Sequence, residues 1–187
     1  ADQAGNGSVG FLLQPSNRPI TFEIRPVPPF RLDLTVWALK RRVHYGIDGW
    51  DGTTYRRVLL DGERPFSLSV EQVGTTGNPV LLVQASTDPD RDVINDREKL
   101  ATEACATLLG TEVDLAAFYD TADASPELAP IVDRLRGMKP PRYLSLFEAL
   151  TNAITCQLIT LTVGLRILDR FTTRYGVPLP GAAENTG

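Results

Sequence analysis

The run Leu135-Arg-Gly-Met-Lys139-Pro-Pro-Arg142-Tyr-Leu-Ser145-Leu-Phe-Glu148-Ala-Leu-Thr-Asn-Ala-Ile-Thr-Cys156-Gln-Leu-Ile-Thr160, continuing to Tyr175-Gly176, decides how the chain is read. Lys139-Pro140-Pro141-Arg142 is a rigid extended connector, because each proline fixes its own φ and drives the residue before it out of the helical region. Ser145 and Glu148 stand ahead of an apolar run in the pattern of a capping box. The serine hydroxyl would accept from the Glu148 N–H while the glutamate reaches back to the Ser145 N–H. The helix so opened is apolar at Phe147, Ala149, Leu150, Ala153 and Ile154. A last helix is predicted over Thr160–Tyr175, apolar at Leu161, Leu165, Leu168 and Phe171 and basic at Arg166, Arg170 and Arg174. Gly176 and Pro178 end it. Gln157 and Leu158 fall in the turn between these two helices.

Upstream, the helical period continues back to about residue 86. Asp88–Gly110 carries Val93, Ile94, Leu100, Ala101, Ala104, Leu108 and Leu109 on one face, with Gly110 as a natural end. A second short helix is expected over Asp114–Asp120. A third is expected over Pro126–Arg136, with Leu128, Ile131, Val132 and Leu135 on one side and Gly137 past its end. Before residue 86 the pattern is different. Ile20–Arg25 alternates apolar and polar, which is a half-buried strand stopped by Pro26, Pro28 and Pro29. Tyr55–Leu60, Phe66–Val73 and Val80–Ala85 read as further strands. They are punctuated by Asp48-Gly49, Asp51-Gly52, Asp61-Gly62 and Gly77-Asn78-Pro79, which offer the positive-φ positions that hairpins need. Asp33–Arg42, with Leu34 and Trp37 at helical spacing, is read as a short helix. The fold class is α+β: an antiparallel sheet with one or two helices over residues 1–86, then a helical segment over 87–187.

The 187 residues are 42% apolar and 22% charged, with a net charge of -4, which excludes a disordered polymer, a collagen-like repeat and a simple nucleic-acid coat. No apolar run approaches the about 20 residues of a membrane span, and the N-terminus has no basic-then-apolar signal pattern. Cys105 and Cys156 form no disulfide or zinc framework, so a reduced, cytoplasmic setting is expected. Charge is unevenly spread. Residues 86–133 hold three Lys and Arg against twelve acids, whereas 134–176 hold seven against two. The basic stretch comprises Arg134, Arg136, Lys139, Arg142, Arg166, Arg170 and Arg174. It reads either as a solvated helix face or as a local positive field that holds phosphates.

Familiar chemistry is missing from the sequence. The single histidine, His44, lies beside Tyr45 with no Cys or second His at metal-ligand spacing. There is no Gly-rich phosphate loop, no nucleophile elbow, and no carboxylate pair that stands out as acid and base. No cofactor and no metal are expected.

The stretch from Leu135 to Gly176 resembles the entry to the helical domain of the helix-hairpin-helix DNA glycosylases, in particular the 3-methyladenine DNA glycosylase II group. The shared pattern is the Pro-Pro-Arg connector, Phe147-Glu148 opening an apolar helix, the sequence Ile154-Thr-Cys-Gln157-Leu158-Ile-Thr160, and a second helix closing with Tyr175-Gly176. Trp37-Ala-Leu-Lys-Arg-Arg42 lies where that family has an aromatic residue followed by a small basic helix, and Leu100–Leu109 fits its first interdomain helix.

The resemblance implies an enzyme that rotates a damaged base out of duplex DNA and excises alkylated purines in base-excision repair. It implies that Leu158 is the apolar wedge entering the base stack and that Gln157 meets base edges or backbone at the gap. Thr160 would cap the next helix and leave its N-terminus to a phosphate, Arg142 or Arg166 would approach phosphates, and Trp37 would border the pocket of the flipped base. A turn leucine also reads as core, and Trp37 also reads as packing between sheet and helix; both readings stand here. The implied partner is double-stranded DNA with a damaged base, with no membrane. The family's hairpin and catalytic Asp fall further along than residue 187. The expectation is therefore the N-terminal portion of such an enzyme, inactive alone, with self-association or a partner chain covering Leu161, Leu165 and Leu168. A non-catalytic DNA-binding or scaffold module and an 8-oxoguanine-type glycosylase are the alternatives.

Overall fold

Period-two alternation builds the sheet. In the computed structural model, which describes residues 19–39, 47–86 and 94–176, five strands run β1 (Ile20–Ile24), β2 (Asp48–Trp50), β3 (Thr54–Asp61), β4 (Arg64–Gln72) and β5 (Leu81–Ala85). They pair antiparallel throughout in the order β1-β5-β4-β3-β2. Register follows burial. Tyr55 stands opposite Val70, Leu59 opposite Phe66, and Val83 lies between Phe22 and Val70, so one sheet face collects these side chains. Two turns use glycine as expected, with Gly52 at φ +110 and Gly62 at φ +63. Asp48-Gly49 is not a turn. It is strand β2, because its backbone continues the ladder against Arg56 and Arg57 of β3.

Six helices complete the α+β fold: α1 (Leu32–Leu39), α2 (Ile94–Leu108), α3 (Ala116–Asp123), α4 (Ala129–Leu135), α5 (Leu146–Thr155) and α6 (Leu161–Tyr175). The face of α1 is rotated from the expected one. Leu32, Thr35 and Val36 are buried, whereas Trp37 is 69% exposed, because the i, i+4 pair Leu32 and Val36 meets the sheet. Leu32 and Val36 join Phe30, the inward residues of the strands, and Ala101, Ala104, Cys105, Leu108 and Leu109 of α2 in one core. Lys40, Arg41, Arg42, His44, Tyr45, Asp88, Val93 and Pro178 lie outside the described residues.

Two further expectations fail on packing grounds. Lys139 is not part of a basic surface. It is fully buried, its Nζ donates to Val113 O at 2.6 Å, and burial lowers its pKa against a smaller raising effect of Asp114. The face of α4 is not core either, for Leu128, Ile131 and Leu135 are all exposed. Where the chain leaves α4, Gly137 sits at φ +94 with its Cα hydrogen side against the Phe30–Arg31 backbone, where a Cβ would come within 3.1 Å. Its carbonyl accepts from Arg31 N at 2.7 Å, so the connector to α5 is pinned beside α1.

Candidate nucleic-acid interface

The turn between α5 and α6 is built from its caps outward. Ser145 is the N-cap of α5, its Oγ accepting from Glu148 N at 3.1 Å. The other half of the expected capping box is replaced. Glu148 Oε1 accepts from Arg57 Nη2 of β3 at 2.7 Å, 91 residues away in sequence. Arg57 also donates from Nη1 to Asp48 Oδ1 at 2.9 Å, and Tyr55 donates its hydroxyl to the same oxygen. Burial opposes charge on Arg57, but Asp48, Tyr55 and Glu148 around it hold the guanidinium charged above its ordinary range. Burial and then the Asp48 charge push the Tyr55 hydroxyl upward, which keeps it a neutral donor.

At the far end of α5 the chain reverses tightly. Gly164 of α6 lies so close to Cys156 and Thr155 that a Cβ would meet Cys156 Sγ at 2.8 Å. Thr160 caps α6, its side chain accepting from Val163 N. Between the two helices Leu158 adopts φ 59 and is 99% exposed. The left-handed region is costly for a leucine, by about 1–2 kcal/mol, and an exposed leucine recovers none of it by burial. This residue is therefore not core. Gln157, Ile159 and Thr160 beside it are also exposed. The tip thus presents an apolar side chain flanked by an amide, a hydroxyl and the N-terminal N–H groups of α6.

The other sequence-predicted residues distribute around this tip unevenly. Arg166 is exposed one turn into α6, and Arg142 is exposed at the rim of a cleft floored by Asp48, Arg57 and Glu148. That cleft is lined by Ala38 and Leu39 of α1 but not by Trp37, whose ring stands outward. The buried Asp48–Arg57–Glu148 cluster was not read from the sequence. The only signal was a glutamate already accounted for by the capping box. Among the described residues no group of three or more His, Cys, Asp or Glu is placed to hold a metal ion, and no helix is long and apolar enough to cross a membrane.

Compared with solved structures, the fold is similar to that of 3-methyladenine DNA-glycosylase from Archaeoglobus fulgidus, with a TM-score of 0.65 at 16% sequence identity. The match covers 84% of this chain and 54% of that one, so the chain spans about half the length of that structure. The likeness is one of fold. No family model and no curated protein matches the sequence.

Proposed function

We propose that this chain is the sheet-and-first-helices portion of a DNA repair glycosylase acting on alkylated purines, and that its α5–α6 tip is the part that enters damaged duplex DNA. The observation that carries this reading is Leu158: a leucine at φ 59 with 99% of its surface exposed, between two capped helices. An apolar side chain presented in this way suits the gap left when a base leaves the stack, where it replaces lost stacking contacts. Gln157 is placed to hydrogen-bond at the gap, and the α6 N-terminus to meet a phosphate. Trp37, exposed on α1, is proposed to face the flipped base from outside the cleft. The similarity to a 3-methyladenine glycosylase fold supports the same reading.

The test is binding to a labelled duplex carrying an abasic analogue or an alkylated purine, with undamaged duplex as competitor. Leu158→Ala is expected to lose about tenfold in affinity for the damaged duplex while leaving undamaged-duplex binding unchanged. Arg142→Ala and Arg166→Ala are expected to weaken both duplexes alike and to lower the salt dependence by about one counterion each. Equal affinity of wild type and Leu158→Ala for the damaged duplex would refute the wedge.

A further inference from the structure

The α5–α6 pair meets the sheet over a narrow patch at the start of β2. One contact is apolar: Leu165 and Leu168 of α6 pack with Ile47 and Cys156, as a cluster separate from the main core. The other is ionic: Glu148 of α5 against Arg57, with Asp48 on the residue after Ile47. The outer face of α5, Leu146, Phe147, Leu150 and Ile154, is 50–74% exposed, and the Phe147–Phe171 ring contact on that side joins α5 to α6 rather than to the sheet. These two contacts, together with the connector held beside α1 at Arg31 and Thr35, set the direction of the tip relative to the sheet.

The ionic contact is a poor device for stability alone. Arg57 is 7% exposed, and its Nε is buried without a hydrogen-bond partner. Desolvating three charged groups and orphaning one donor offsets most of what their attraction supplies, and an apolar set of similar volume would hold the layers as well. What the ion cluster adds is direction. A planar guanidinium with two fixed Nη donors donates to Asp48 and Glu148 in one geometry, and Glu148 is locked to the first turn of α5 by the Ser145 cap. Asn152 continues this register, donating from Nδ2 to Glu148 O one turn on.

We infer that Arg57 is a positioning residue for the tip: by gripping Glu148 it fixes the entry of α5 on the sheet and so aims Leu158. It touches no DNA itself. The inference rests on the wedge reading for its functional consequence, and on the geometry of the cluster alone for its structural one.

The experiment separates the two. Spin labels at Glu71→Cys on β4 and Ile159→Cys in the tip, in a Cys156→Ser background, report the sheet-to-tip distance in the whole chain. Arg57→Met is expected to broaden that distribution at least twofold; because it leaves buried Asp48 and part-buried Glu148 without their cation, its thermal midpoint is expected to fall, and the distances are measured well below that midpoint. Its affinity for the abasic duplex is expected to fall about tenfold. The double variant Arg57→Met with Leu158→Ala is expected to lose less than the sum of the two single losses, because the grip acts on DNA binding through the tip; fully additive losses would overturn that part. An unchanged distance distribution in Arg57→Met would overturn the inference whatever the DNA result. If Leu158→Ala leaves binding unaffected while Arg57→Met still broadens the distribution, the wedge reading falls and the positioning role stands. Should Arg57→Met fail to fold, Glu148→Gln, which removes the charge and keeps the shape, takes its place with the same expected broadening and the same overturning result.

Discussion

Leu158 carries a conformational cost that burial of its own side chain does not offset. At φ 59 its Cβ crowds the following carbonyl, and at 99% exposure its side chain gains nothing from the fold. Leu158→Gly removes the crowding and adds only the extra chain entropy of glycine, a smaller term of about 0.5–1 kcal/mol. The variant is expected to be more stable than wild type by about 0.5–1 kcal/mol, raising the thermal midpoint by a few degrees. Differential scanning calorimetry reads the midpoint. A lower midpoint would mean that the leucine makes a stabilising contact. The residue was legible as a turn leucine from its place between two predicted helices. Its backbone conformation was not, because no local signal marks a left-handed leucine as glycine or asparagine would be marked.

At the scale of elements, local chemistry was read well where one partner lay nearby in sequence and poorly where it lay far away. Ser145 was legible as a cap because its acceptor role is completed within three residues. Glu148 was assigned to the same box, but the competing partner, Arg57, comes from strand β3, and a pair charged on both sides outweighs the carboxylate's return to one uncharged N–H. The phase of α1 was misread for a related reason: Leu34 and Trp37 fit a helical face as well as Leu32 and Val36, and only the sheet decides between them. Strand β2 was hidden because three residues with a glycine at the centre look like a turn until β3 pairs with them. The β2–β3 connection shows a local device in full. Asp51 Oδ1 accepts from Thr53 N at 3.0 Å and Thr54 N at 2.9 Å, and Arg56 Nη1 reaches Oδ2. The Thr54 and Thr53 N–H groups, then Arg56, hold this carboxyl well below the usual carboxylate range. A depressed folded-state pKa means that the stabilisation is fully present above the unfolded value of about 4 and is lost as pH falls through the folded one. Asp51→Asn should therefore lower the thermal midpoint most at pH above about 5. The gap from wild type should narrow as pH falls below about 4 and should still be open at about pH 2, because the folded-state carboxyl titrates well below the usual carboxylate range. A gap that stays constant across this range would show that the carboxylate charge does not support the turn.

At the scale of the whole molecule, the burial pattern is unbalanced. The sheet, α1 and α2 share a closed core, while α4, α5 and α6 turn apolar surface outward. The sequence reading placed this surplus on Leu161, Leu165 and Leu168. That assignment is corrected in part, because Leu165 and Leu168 are buried at 6% and 2% against Ile47 and Cys156. Leu161 stays exposed, and the uncovered surface extends over α5, at Leu146, Phe147, Leu150 and Ile154, and along α6 at Val163, Ile167 and Phe171. Phe147 and Phe171 are ring neighbours at 6.3 Å, so the two helices present one continuous face. The one charged residue of α5, Glu148, is turned away from it toward Arg57. A contiguous face of this kind is rare on a soluble monomer and is normally covered. The chain alone is therefore expected to self-associate as its concentration rises, seen in sedimentation as a weight-average mass above 20.5 kDa. Leu146→Glu with Ile154→Glu, at positions 74% and 69% exposed, places two charges on that face without disturbing the core, and is expected to return the mass to the monomer value while the thermal midpoint holds. A wild-type chain that stays monomeric at every concentration would show that this face tolerates water, and that the Phe147–Phe171 pair between α5 and α6 is enough to satisfy it.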